Sequence, residues 1–89
     1  MYFVYMIRNA DDKLYIGISV APEKRVQVHN AQRGALFTKA HRNFELVFKE
    51  PHATMTEARR REIQIKKWRR EKKEILVGRY TRGLPTKLE

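Results

Sequence analysis

The order of apolar and polar side chains along the chain changes period several times, and each change marks an element. Residues 2–8 (YFVYMIR) are rich in β-branched and aromatic side chains and predict a strand. Asn9-Ala10-Asp11-Asp12-Lys13 is turn chemistry, and residues 14–19 (LYIGIS) predict a second strand, so that the two form a hairpin. Within the second strand Leu14, Ile16 and Ile18 fall on one face and suit a core. Tyr15, Gly17 and Ser19 fall on the other face and look like the lining of a site. Pro22 suits the first turn of a helix, where its missing N–H costs nothing. That helix is expected over 22–33, capped by Ser19 or a near neighbour and ending at Gly34. A loop is expected over 35–43 and a third strand over 44–49 (FELVFK). Thr54-Met55-Thr56-Glu57 has the spacing of a capping box, which starts a second helix near 55 that runs to about Trp68. A last helix over 71–77 (EKKEILV) is expected to end at Gly78, ahead of a basic, proline-containing tail. The order ββαβαα implies an α/β (α+β) domain, a small and mostly antiparallel three-stranded sheet flanked by three helices.

Composition narrows the class. The 89 residues fit one domain, 1–89, with a lean core, and a hydrophobic content of 42% argues against disorder throughout. With no cysteine, neither a disulfide framework nor a thiolate zinc site can form. The opening run Met1 to Ile7 is apolar but short, soon meets Arg8, and lacks a basic leader and a small-residue cleavage site. No stretch approaches the roughly 20 apolar residues that span a bilayer. The expectation is a cytoplasmic protein with no membrane partner. Twenty Lys and Arg against ten Asp and Glu give a net charge of +10, a surface that repels itself until a polyanion neutralises it. Nucleic acid is the usual candidate, since each neutralised phosphate also releases counterions. On charge alone, acidic lipid and acidic protein stay open.

Two helical positions carry unusual chemistry. Ala58, Ile65 and Trp68 lie along one side of the second helix, and Glu62 sits between Ala58 and Ile65 on that side. A carboxylate facing a core is costly unless it is paired or bound to metal. Its neighbours Arg59, Arg60, Arg61, Lys66 and Lys67 offer ordinary salt bridges, and by the residues alone that reading leads. Arg25 and His29 share a face of the first helix at i, i+4 spacing. Such a pair can steady phosphate charge while the imidazole handles a proton, although plain helix surface is the simpler reading. Glu57 and Glu71 read as cap and surface, Trp68 as core before base stacking, and His41 and His52 as loop residues without partners.

The hairpin brings these positions together. Phe3-Val4-Tyr5, nine intervening residues, then Tyr15-Ile16-Gly17 resembles the paired motif of the GIY-YIG nuclease superfamily. Arg25 stands where that family places its helix-one arginine, and His29-Asn30 fits the histidine one turn later. Phe37-Thr38 and Phe44-Glu45-Leu46-Val47 match its loop and third strand. Glu57-Ala58, Arg61-Glu62 and Ile65-Lys66-Lys67-Trp68, followed by Lys72-Lys73, look like the signature of the small stand-alone bacterial single-domain subgroup, UPF0213-like. The resemblance runs from residue 2 to about 88. It departs from the pattern at Phe3 and Val4, which replace the first glycine and isoleucine, and no asparagine follows Asn43.

The resemblance implies a metal-dependent endonuclease that hydrolyses phosphodiester bonds in DNA, in repair or in the processing of damaged or branched strands. It implies Glu62 as the ligand of one Mg2+ (or Mn2+) and Arg25 as the donor that stabilises phosphoryl charge. Tyr5 is the first choice of general base, helped by Tyr15 or His29; a free phenol titrates near ~10, so nearby positive charge is required. An even hairpin register would put Tyr5, Tyr15 and Gly17 on one side, with Gly17 admitting the substrate backbone. Binding falls to Gly17, Lys66, Lys67, Arg69, Arg70, Lys72 and Lys73, with DNA ahead of RNA and the protein a monomer or weak dimer. Two other readings stand beside it. One is a nucleic-acid-binding domain of the same fold with little or no cleavage, and the other is a basic interaction surface for an acidic protein.

Overall fold

The first hairpin owes its geometry to Asn9, whose side-chain Oδ1 accepts from the backbone N–H of Asp11 and of Lys13, both at 3.0 Å. Asp12 takes the left-handed conformation (φ 65°), which aspartate tolerates better than bulkier residues. The turn joins strand β1 (Tyr2–Arg8) to strand β2 (Leu14–Ser19) in antiparallel pairing. Helix α1 (Pro22–Ala31), strand β3 (Glu45–His52), helix α2 (Met55–Lys66) and helix α3 (Arg70–Thr81) follow. The computed structural model describes residues 1–31 and 44–88. The ends of the first helix and of the connection after it, with Gly34, Phe37-Thr38, His41 and Asn43, lie outside the described residues.

β1 is the central strand of a sheet ordered β2-β1-β3, antiparallel on both sides. The expected α+β architecture and element order are therefore present. Val4 and Met6 point to one face and join Phe48, Ala58, Ile65, Leu76 and Val77 in the main core, so α2 and α3 cover that side. Leu14, Ile16 and Ile18 pack against it, as the alternation of β2 predicts. The other face holds a smaller cluster of Tyr5, Ile7 and Val26, with Phe44 and Leu46 against it, and is covered by α1. A register shift between Met6 and Ile7 lets Phe48 pair with Met6 and Leu46 with Ile7. One bulge thus supplies aromatic bulk to one face and a leucine to the other.

Three boundaries differ from expectation. β3 runs on to His52 through Pro51, which a strand pairing on one side only can accommodate. α2 opens where expected, with Thr54 Oγ1 accepting from Glu57 N–H at 3.2 Å, but stops at Lys66. α3 passes through Gly78 instead of ending there. Its stop is at Gly83 (φ +70°), where Gly83 N–H reaches Tyr80 O and Leu84 N–H reaches Arg79 O, at 3.1 and 2.9 Å. A helical glycine costs about 1 kcal/mol against alanine. The extra turn seats Tyr80 edge-on against Phe48, centroids 5.6 Å apart, which offsets that cost.

Candidate active site

Pairing in the hairpin sets Tyr5 directly across from Gly17, and Tyr15 across from Ile7. Cross-strand partners project to the same side, so both phenols, Gly17 and Ser19 share the face covered by α1, the even register. The Tyr5 ring lies over Gly17. A Cβ there would stand 2.8 Å from Tyr5 Oη and 2.9 Å from Cζ, closer than real side-chain contacts. Gly17 thus makes room for the phenol. Tyr5 is only 9% exposed, yet among the described residues its hydroxyl has no hydrogen-bond partner. Buried hydroxyls are normally satisfied, so this oxygen is open to a partner that the described residues do not supply.

Tyr15 is exposed and packs edge-on against Phe44, centroids 5.7 Å apart; His29 meets the same ring at 4.9 Å. Phe44 is held by Asn30, whose amide donates to Phe44 O and accepts from Phe44 N–H, both at 2.9 Å. This clasp joins α1 to the start of β3 and fixes the platform between Tyr15 and His29. At the head of α1, Ser19 Oγ accepts from Ala21 N–H at 3.0 Å, one residue before the helix, and Arg25 N–H reaches Ala21 O. The Arg25 side chain is exposed and has no ion-pair partner among the described residues.

Glu62 comes from α2, whose Ala58 and Ile65 are fully buried in the main core. Its side chain is 10% exposed, and its ion pairs are loose, 3.8 Å to Arg59 and 3.4 Å to Lys66. Among the described residues it accepts no hydrogen bond, and none joins it to Tyr5, Tyr15 or Arg25. The sheet therefore gathers the tyrosines, Gly17, Arg25 and His29 on the α1 face, whereas Glu62 enters from the helix packed across the sheet. A buried carboxylate with its lone pairs open suits a hard divalent ion that keeps most of its water. No cluster of three or more candidate ligands occurs among the described residues, so this carboxylate would be the main protein ligand.

The basic residues of α2 and α3 divide by what they touch. Lys67 and Arg69 are exposed without an ion pair among the described residues, while Lys73 is half-buried. Lys66 is turned to Glu62, and Lys72 Nζ lies over the Trp68 ring at 4.3 Å. Trp68 is half-buried against the core, the position expected of it. Arg70 is held by Glu74 at 2.8 Å and by the carbonyl of Asp12, which ties α3 to the hairpin turn. Arg8 completes that cluster with bonds of 2.8 and 2.6 Å to Glu74. The Arg8 bond is the main reason the Glu74 carboxyl is pulled down to about 2, burial opposing it.

Two sequence readings need correction. His52 is no unpartnered loop residue: it ends β3, with Nε2 at 2.9 Å from Glu50 Oε1. Arg61 does not serve Glu62. Its guanidinium grips Glu50 through Nε at 2.9 Å and donates 2.6 Å bonds to the carbonyls of Leu88 and Thr86. Nothing in the local pattern of α2 signals that partner, which lies 11 residues away on another element.

The family model of the GIY-YIG catalytic domain matches residues 1–74. The chain is 37% identical over 76 residues to a UPF0213 protein of Bacillus pumilus, covering 85% of this chain and 78% of that protein. It is 40% identical over 76 residues to a UPF0213 protein of Staphylococcus aureus, covering 85% and 93%. The solution NMR structure of a UPF0213 protein from Bacillus halodurans has a TM-score of 0.57 at 32% identity, covering 88% of this chain and 84% of that one. No helix among the described residues is long and apolar enough to cross a membrane.

Proposed function

This chain belongs to the GIY-YIG catalytic domain family, a nuclease family, and from that premise we propose that it is a metal-dependent endonuclease cutting phosphodiester bonds of DNA in repair or strand processing. The observation that carries the reading is that a phenol buried over a glycine on the α1 face and a carboxylate buried on α2, packed on the other face of the sheet, both lack hydrogen-bond partners among the described residues. Structural polar groups are satisfied; groups kept for a substrate or an ion are not.

In this mechanism Glu62 would hold the cation, magnesium or manganese, which would supply Lewis acidity to phosphodiester cleavage. Arg25 donates to the non-bridging oxygens as charge develops on them. Tyr5 is the general base in this reading, its oxygen accepting the proton of the attacking water. The water oxygen bonds to phosphorus while the bond to the leaving sugar oxygen breaks. Tyr15 and His29 orient that water from the Phe44 platform, and Lys67, Arg69 and Lys73 hold flanking phosphates.

A binding domain that cuts slowly or not at all is the competing reading, favoured by the lack of any asparagine after Asn43. One assay separates them. Nicked, flapped, abasic, single-stranded and duplex DNA are incubated with magnesium, with manganese and with chelator. Metal-dependent cutting that disappears in Glu62→Ala supports the enzyme. Salt-sensitive binding with no cutting by the wild type overturns it.

A further inference from the structure

We infer that the recess between the end of β2 and α1 binds the nucleotide next to the scissile phosphate, an inference that rests on the nuclease reading above. The recess measures ≈ 220 Å³ and is lined by Ser19, Ala21, Lys24, Arg25 and Val28. Sites that enclose a whole small-molecule ligand run to about 300–1,000 Å³, so this one suits a single sugar–phosphate unit of a longer chain. Ser19 lies two residues beyond Gly17 on the same face of β2, which is ~7 Å along the strand. That is about the reach of one nucleotide from the place where Tyr5 covers Gly17.

The walls have the chemistry of a nucleotide. Lys24 and Arg25 are exposed, and neither has a carboxylate partner among the described residues. The nearest acid in sequence, Glu23, is drawn off to Lys49 at 2.5 Å. Its carboxyl is lowered chiefly by that Lys49 bond. The recess therefore keeps its positive charge. Val28, 40% exposed, offers the apolar surface that a sugar ring covers. Arg25 serves the reacting phosphate, Lys24 the neighbouring one, and Val28 the sugar between them.

The test is binding of a fluorescent single-stranded or duplex oligonucleotide, followed by anisotropy in chelator between about 50 and 200 mM salt. Lys24→Met is expected to weaken binding and to reduce the slope of log affinity against log salt by about 1, the loss of one phosphate contact. Val28→Asp puts a carboxylate in the recess, and Gln27→Asp makes the same charge change on an exposed position outside its lining. Val28→Asp is expected to lose about ten-fold more affinity than Gln27→Asp. In cleavage, Lys24→Met is expected to raise KM with kcat unchanged. Equal losses for the two aspartates, with an unchanged salt slope for Lys24→Met, overturn the recess and leave the nuclease reading standing. Binding that follows the expected pattern in a wild type that cuts nothing does the reverse. Polyglutamate that competes with the same variant pattern overturns the nucleotide as occupant in favour of an acidic protein.

Discussion

Glu50 and Glu62 are almost equally hidden, with side chains 12% and 10% exposed, and they are served by neighbouring turns of the same helix. Their surroundings are nonetheless opposite. Glu50 receives Arg61 at 2.9 and 3.3 Å, His52 at 2.9 Å and Thr86 at 3.0 Å, so its oxygens are filled. Arg61 in turn spends its remaining donors on Gln64 and on two carbonyls of the C-terminal tail. Glu62 has only ion pairs of 3.4 and 3.8 Å to exposed Lys66 and Arg59. Burial alone therefore does not mark a functional carboxylate. Completeness of partnering is what separates the two, because a filled carboxylate has no lone pair left for an ion while an unfilled one is costly to fold around.

The largest expected effect is on Glu62. Glu62→Gln should lower cleavage by on the order of 10³-fold, since a neutral amide holds a divalent cation poorly. Its melting temperature should stay level or rise, as removal of an under-partnered buried charge relieves desolvation. A large loss of stability would make Glu62 a structural residue like Glu50. Glu50→Gln should do the converse. Arg61 is left buried without its counter-charge, at a cost of roughly 3 kcal/mol. That corresponds to a drop of about 15 °C in Tm for a domain of this size, read by thermal denaturation. Cleavage at a temperature where the variant is folded should be near normal.

Gly17→Ala tests the second unfilled group. The added Cβ would meet Tyr5 Oη at 2.8 Å, so the phenol must move. A shift of about 1 Å can cost ~10²-fold in rate. Cleavage should fall by that order while far-UV circular dichroism stays unchanged; normal turnover would detach Tyr5 from the chemistry. The smallest effect belongs to acid. Glu74 is held down to about 2 from an ordinary 4.5, chiefly by its bond to Arg8, so its contribution to stability is complete above the unfolded value of 4.5. That contribution is lost as pH falls from 4.5 toward 2. Tm measured across this window should fall more steeply in the wild type than in Glu74→Gln.

Much of the fold was legible in the sequence because its signals are local. Alternation in β2 named the residues of its core side, Asn9 to Lys13 spelled a turn, and Thr54 opened α2 as a hydroxyl three residues before Glu57 does. Even the common face of Tyr5, Tyr15 and Gly17 depended only on the parity of a short hairpin. The misplaced boundaries mark where local rules yield to packing. Gly78 looks like a stop, but Tyr80 finds Phe48 one turn later, and Pro51 looks like a strand end until β3 proves to be an edge.

Sequence alone thus determined the element order and the basic charge, since the first is set by residues within a few positions of one another and the second by composition. Tertiary structure alone decided which acids are filled and which are open. Arg61 stands next to Glu62 in the chain, yet it turns to Glu50 and to a tail 25 and 27 residues downstream. Hydrogen bonds are short-ranged and directional, so their partners are settled only when distant segments are folded against one another.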